Sequence, residues 1–495
     1  MRSRGWADLH AWELDRSAGA PPFFRQVYTQ VRTAILSGAL GLGTKLPSTR
    51  AMATQLGLAR ASVVAAYEQL LAEGYAEPRA GSGTYVASDF TEFAKPGHGR
   101  RGGRSGRPLP DLAGPGTTFE RAPMKYGHLP FNTGRTLVDA RTNENWRRLT
   151  HRAVRSLGVD DLGYTDPCGL IELRRQIAEY LRAARAVRCE PEQVVVTAGT
   201  QQAIDIAVRV ILTPGDTVWV EDPGYPLTHE QLRLAGLLPL PVPVDEQGII
   251  VESGARSGPN ARAVFVTPSH QFPTGVPLSM GRRLDLLAWA RESGAYIVED
   301  DYTSEFRFSG PPLASLQGLD EDARVIYVGT LNKALFPGLR LGYAIVPPAL
   351  LDAFSGIRYL TDRQPPTLYQ AVVAAFMREG HFAAHIRRMR HAYREQRDVL
   401  SSALTERAGE HLDVAIPEQG MHLVAYLKNA RSDLEVESAA RRAGVVVRGI
   451  SRFYHAAPAR SGLMLGFSGY PLQLILPAAA KLASVLTRQA RARSF

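Results

Sequence analysis

Up to about residue 88 the apolar residues recur every three to four positions, and beyond Pro115 they gather into short unbroken runs. In PPFFRQVYTQVRTAILSG, Val27, Val31 and Ile35 fall on one face, Pro21 and Pro22 stand at the start and Gly38 at the end, which predicts a helix. PSTRAMATQLG predicts a shorter helix from near Ser48 to Gly57. ARASVVAAYEQLLAEG predicts a third, with Val63, Tyr67, Leu70 and Leu71 buried on one face and a stop at Gly74. YAEPRAGSGTYVA reads as two extended pieces around a Gly-Ser-Gly tip, a hairpin.

Beyond Pro115, EQVVVTAG, DTVWVEDP, ARAVFVTPS, GAYIVEDD, RVIYVGT and RLGYAIVP are rich in Val and Ile, bounded by Gly, Pro or Asp, and separated by helical patterns. Apolar strands alternating with helices predict an α/β fold with a mostly parallel central sheet covered on both faces. The chemistry of such a sheet belongs at the carboxyl ends of its strands. Between the two patterns, residues 89–115 contain Gly, Pro, Ser and Arg and little that could build a core, so they read as a flexible basic linker. The expected organisation is a domain over 20–88, the linker over 89–115 and a large domain over 116–495.

Composition narrows the classes. The 495 residues suit two or three domains. Cys168 and Cys189 form neither a disulfide framework nor a metal-ligand set, so no metal is expected. No apolar run reaches bilayer length, and MRSRGWADLH lacks the hydrophobic stretch of a secretory signal, so a cytoplasmic location is expected and no membrane is a partner. Of a formal net charge of +10, about half lies in residues 1–115, where 14 Lys and Arg face nine Asp and Glu. That bias is compatible with a polyanionic partner such as DNA.

Helix, short helix, turn, helix and hairpin is the order of a winged helix-turn-helix, in which the third helix enters the major groove and the wing approaches the backbone or minor groove. Arg60, Ala61 and Ser62 occupy the first turn of that third helix. Arg60 suits a bidentate contact to guanine and Arg50 a phosphate. Ser82, Gly83 and Thr84 at the wing tip bring backbone amides to the sugar-phosphate chain. LPSTRAMATQLGLARASVVAAYEQLLAEGY followed by GSGTYV resembles the DNA-binding domain of GntR-family bacterial regulators over about residues 23–87. The resemblance implies a double-stranded DNA operator as partner.

At the strand ends of the larger pattern the polar residues form one set. Gly199, Thr200 and Gln201 open a helix, whose free amides and dipole favour a phosphate. Tyr225 offers an aromatic plate. Asp300 and Tyr302 follow one strand, and Thr330, Lys333 and Arg340 follow another. Together these describe a site for pyridoxal 5′-phosphate: Lys333 carries the cofactor as a Schiff base, Asp300 keeps the pyridine nitrogen protonated, and Tyr302 bonds the phenolic oxygen. Thr330, Arg340 and the amides near Gly199 and Thr200 hold the phosphate.

YTDPCGLIELRRQI, TAGTQQAI, EDPGYP, TPSHQFPTG, VEDDYTSEFR and the lysine segment YVGTLNKALFPGLRLGY resemble fold-type-I aminotransferases over about residues 125–490. The resemblance implies the PLP-dependent transferase fold with a smaller C-terminal α+β part. It also implies a homodimer in which Tyr164 reaches the cofactor phosphate of the other subunit. Two departures stand out. The Asn that such enzymes carry before Pro-Thr-Gly is absent, leaving His270, Gln271 or Phe272 at the cofactor oxygen. The arginine that binds a substrate carboxylate is absent from GLMLGFS, where Met464 or a neighbour stands; Arg448 or Arg452 is the alternative.

A GntR-like winged helix joined to an aminotransferase-like domain is the layout of the MocR subfamily. That resemblance implies a transcriptional regulator whose large domain senses a small amine, an amino acid or pyridoxal phosphate itself at Lys333. The missing carboxylate arginine favours the cofactor, or a ligand without an α-carboxylate. The alternative is a working aminotransferase with an accessory N-terminal domain.

Overall fold

The computed structural model describes residues 14–88, 127, 129–160, 163–428, 432–456 and 460–491. The stretch read as a linker, 89–115, lies outside the described residues. Two compact units are present, one within 1–110 and one within 111–495.

The first unit contains helices α1 (Phe23–Leu36), α2 (Thr49–Leu56) and α3 (Arg60–Ala72), then strands β1 (Ala76–Arg79) and β2 (Gly83–Val86) paired antiparallel, with Ala76 opposite Val86 and Arg79 opposite Gly83. Ser48 caps α2 by accepting from the Ala51 amide, and Gly57 ends it at φ +62°, a conformation glycine adopts without strain. Val27, Val31, Ile35, Met52, Val63, Ala66, Tyr67, Leu70 and Val86 form its core. Leu71, expected among the buried face of α3, is only partly buried. The buried stripe runs 63, 66, 67, 70, and Leu71 stands one position round the helix from it, with Ala66 completing the face instead.

In the second unit all six expected strands form: β3 (Val194–Thr197), β4 (Thr217–Asp222), β7 (Ala263–Val266), β8 (Tyr296–Asp301), β9 (Val325–Thr330) and β10 (Gly342–Ile345). They join β5 (Leu238–Asp245) and β6 (Gly248–Ile249) in one sheet of order β3-β10-β9-β8-β7-β4-β5-β6. The pairs from β9 through β8, β7 and β4 to β5 are parallel, while β10 runs antiparallel to both of its neighbours. Alternate residues face opposite layers. Val195, Val218, Phe265, Val298, Ile326 and Ala344 meet the helix Thr200–Ile211, and Trp219, Val264, Ile297 and Val325 meet the helix Met280–Ser293. A second sheet, β11 (Leu412–Ala415), β12 (His422–Leu427), β14 (Gly462–Gly466) and β13 (Arg448–Gly449), is antiparallel throughout and packs with the long helices His381–Ala408 and Leu472–Arg491. No helix among the described residues is long and apolar enough to cross a membrane.

Candidate functional site

The carboxyl ends of β3, β8 and β9 converge on Lys333. β9 ends at Thr330, whose hydroxyl accepts from the Asn332 amide (3.1 Å) and starts the single turn Leu331–Ala334 that carries Lys333. Asn332 Oδ1 accepts from the Leu341 amide (2.9 Å), which closes the loop so that Arg340 returns toward β3. Gly199, at φ +125°, begins the helix Thr200–Ile211 without a side-chain cap. A Cβ at Gly199 would stand 3.2 Å from Asn332 Nδ2 and 3.6 Å from an Arg340 guanidinium nitrogen. An uncapped helix start, an amide and a guanidinium thus share one small volume, the arrangement an anion needs.

Lys333 is enclosed from the other side by backbone. A Cβ at Gly134 would lie 2.5 Å from Lys333 Nζ and displace it, and the backbone there, at φ +80°, favours glycine. Burial is the largest cause that lowers the Lys333 pKa, the Arg448 charge lowers it further, and Asp300 opposes both. Asp300 Oδ1 is buried and has no hydrogen-bond partner among the described residues. Burial, then the adjacent Asp301, push its pKa up to about 7, against the pull of Lys333. Asp301 faces away, held by Arg185 (2.9 Å) and the Tyr327 hydroxyl (2.7 Å). Tyr302 donates its hydroxyl to the His270 carbonyl (2.9 Å), and Tyr225 meets Phe272 edge-on at 5.1 Å.

The remaining expected residues stand apart or are engaged elsewhere. The Gln201 side-chain amide donates to Gln231 (2.8 Å), which leaves its backbone amide at the helix start. Tyr164 is 81% exposed, and the Arg363 guanidinium lies over its ring at 4.9 Å. Among the three residues left open before Pro-Thr-Gly, Gln271 is bonded to Pro223, Phe272 and Thr274. The His270 ring is wedged against Gly275 and Gly420, and Phe272 packs on Tyr225 and Phe453. Met464 is buried with Val424, Ile450 and Phe453. Arg448 pairs with Met464 across β13 and β14, and its charge is felt at Lys333, Tyr225 and His422. Arg452 is bonded to Glu437 (2.5 Å). Gly134 and His422 were not legible in the chain, because each reaches Lys333 or its loop through tertiary packing and carries no local motif; Asn332 stands directly before Lys333, but its bond to the Leu341 amide shows only in the folded loop.

In the first unit, Arg50, Arg60 and Ala61 are exposed and Ser62 half-buried at the start of α2 and α3. Arg60 Nε donates to Thr49 Oγ1 (3.4 Å). At the wing, Ser82 and Tyr85 hydroxyls lie 2.6 Å apart, Gly83 has φ +119° and Thr84 is half-buried. Two cations escaped the sequence reading: Arg79 sits 4.4 Å over the Tyr85 ring and Lys45 Nζ 5.8 Å from it.

The family model for bacterial regulatory proteins of the gntR family matches residues 24–86, and that for aminotransferase class I and II matches 127–462. The probable rhizopine catabolism regulatory protein MocR of Rhizobium meliloti is 41% identical, with 92% of each chain covered. The chain belongs to the MocR-like family of GntR-type transcriptional regulators. Another relative in this family, the pyridoxine biosynthesis transcriptional regulator PdxR of Corynebacterium glutamicum, is 31% identical over 90% of this chain and 92% of its own. Among solved structures, the α-aminoadipate aminotransferase LysN of Thermus thermophilus matches 77% of this chain and 97% of its own with a TM-score of 0.70 at 27% identity. MocR-like regulators thus join a DNA-binding helix-turn-helix to an aminotransferase fold, a fold that typically binds pyridoxal phosphate.

Proposed function

We propose that this chain is a cytosolic regulator that reads an operator through its winged helix. Its larger unit holds pyridoxal 5′-phosphate on Lys333. Operator binding responds to that cofactor, or to an amine or amino acid that takes the place of Lys333. The observation that carries the reading is the buried, unpartnered Asp300 Oδ1 set within electrostatic reach of the Lys333 amine. A lone carboxylate oxygen in such a place is costly unless a ligand satisfies it, and a pyridinium nitrogen does so.

The residues present fit the cofactor. Lys333 would anchor it, Asp300 would face the ring nitrogen, Tyr302 the phenolic oxygen and Tyr225 the ring face. Thr330, Arg340 and the amides of Gly199, Thr200 and Gln201 would hold the phosphate. When bound, the cofactor supplies a carbonyl carbon that condenses with amines. The exposed Tyr164 supports a homodimer in which it completes the phosphate seat of a second copy. Of the two arginines left as alternatives, Arg452 is engaged by Glu437 while the Arg448 charge acts on Lys333, so Arg448 is the candidate to meet an acidic group; this reading departs from the expectation of a ligand without an α-carboxylate.

The test is an anisotropy titration of the full chain on the intergenic DNA beside its own gene, at fixed salt, with and without pyridoxal phosphate. Selective binding that changes with the cofactor is the expected outcome; affinity no better than for random DNA in both states would sink the reading. The complete anchor set also supports the second reading, an aminotransferase. Rapid conversion of the loaded protein to the pyridoxamine form by amino acids would favour it.

A further inference from the structure

The wing of the first unit has two unlike faces. β1 and β2 pair with Ala76 opposite Val86, Glu77 opposite Tyr85 and Arg79 opposite Gly83. Ala76 and Val86 turn into the core. Glu77, Arg79, Gly83 and Tyr85 alternate with them along the two strands and so lie on the outer face. Lys45, from the segment before α2, bridges to Tyr85 from the other side, which puts it in the same row as Tyr85 and Glu77.

Two cations rest on this face around one aromatic ring. The Arg79 guanidinium carbon stands 4.4 Å over the Tyr85 ring and Lys45 Nζ 5.8 Å from its centre, both within the distance at which a ring face attracts a cation. Each cation is set in place by a neighbour. Glu77 Oε1 accepts from Arg79 Nε (3.3 Å) and Nη2 (2.9 Å) and orients the guanidinium. A Cβ at Gly83 would stand 3.2 Å from Lys45 Cε, so the lysine stem lies along the strand over bare backbone. The Tyr85 and Ser82 hydroxyls, 2.6 Å apart, tie the ring to the hairpin tip. Lys45 is exposed, and the Arg79 side chain remains 48% exposed beside Glu77, so two accessible cations face one carboxylate. Both lie along the face of the hairpin and neither extends beyond its tip. The floor of the minor groove is about 7.5 Å deep, and a side chain folded back onto its own strand meets the phosphates at the rim before that floor.

We propose that the outer face of the wing is a phosphate-binding surface, in which Lys45 and Arg79 each contact the operator backbone and Tyr85 is the positioning residue on which both rest. The proposal rests on the operator reading. It adds to the groove contact of α3 a charged, sequence-independent contact, made partly by a residue outside the hairpin.

Salt dependence reads such a contact. Binding of the full chain to the intergenic duplex beside its own gene, and to a random duplex of equal length, is followed by anisotropy across a salt series. Each phosphate that a cation neutralises steepens the fall of log affinity with log salt by about 0.9. Lys45→Gln and Arg79→Gln should therefore each flatten that slope by about 0.9, and the double variant by about 1.8, on both duplexes. Lys45→Arg, which keeps the charge, should keep the parent slope. Slopes unchanged in the Gln variants overturn the proposal, and so does a loss confined to the intergenic duplex, which would make the two cations base readers. Glu77→Gln separates a phosphate contact from a structural brace. It takes a carboxylate off the face and leaves Arg79 charged, so affinity should hold or rise; a slope flattened as far as by Arg79→Gln would reduce the Glu77–Arg79 pair to a support for the hairpin. A parent chain that binds neither duplex overturns the operator reading itself, whereas parent slopes retained in the variants overturn the wing contact alone.

Discussion

Asp300 shows most directly how this site is prepared for a ligand. In the unloaded protein its pKa is about 7, against an ordinary value of 3.8, with burial as the leading cause. The folded chain therefore keeps a proton that the unfolded chain has already released between those values. Stability should fall as pH rises from about 4 to 7 and level off above, at up to about 1.4 kcal/mol per pH unit. Asp300→Asn removes that dependence, so the unloaded variant should exceed the parent by up to about 4 kcal/mol at pH 8 and converge with it near pH 4. Denaturant melts at the two pH values decide it; parallel curves would mean that Asp300 ionises freely. At Lys333 the expectation is simpler. Lys333→Ala should stay folded and lose the visible absorbance of the loaded protein, and a retained band would name another lysine as the anchor. Gly134→Ala drives a methyl group into Lys333 Nζ at a positive φ, so it should cost cofactor affinity, read by equilibrium dialysis, while leaving DNA binding to random sequence intact.

At the scale of elements, the pattern of apolar residues was enough to recover α1 to α3, the wing and six strands, since each has a period and a stop signal of its own. β5 was not legible. Its sequence LPLPVPVD places a proline at every second position, which reads against a strand. In the sheet, the Leu238 amide bonds toward the β4 side and the Pro243 carbonyl points to the other, where only the short β6 and Ile250 meet it. The three prolines thus face the sparsely paired edge, where a missing N–H costs little. The site divides in the same way. Lys333, Asp300 and Arg340 follow strands and could be found from position, whereas His422 and Arg448 come from another sheet, 89 and 115 residues beyond Lys333 in the chain. In α3, Arg60 is exposed and steadied by Thr49 of α2, across the turn that joins the two helices. Arg60→Ala should weaken operator binding by about 1–3 kcal/mol and spare non-specific binding if it reads a guanine. Equal losses on both DNAs would make it a phosphate contact.

For the whole molecule, each unit has its own core, and the chain gains nothing from joining them unless occupancy of one site changes affinity at the other. Such coupling is reciprocal: if pyridoxal phosphate or an amine effector alters operator affinity by some factor, operator DNA must alter the affinity for that ligand by the same factor. Couplings of this kind are commonly about 1–3 kcal/mol, or roughly 5- to 150-fold. The expected result is therefore a matched pair of shifts: ligand affinity measured by absorbance with and without saturating operator, and operator affinity measured by anisotropy with and without saturating ligand. The pairing matters because a change in DNA binding alone can arise from added charge or from ligand-driven dimerisation. In a chain held dimeric at high concentration, a ligand affinity indifferent to operator would reduce the large unit to a scaffold. Matched factors would establish that the chemistry at Lys333 and the groove contacts of α3 bias one and the same equilibrium.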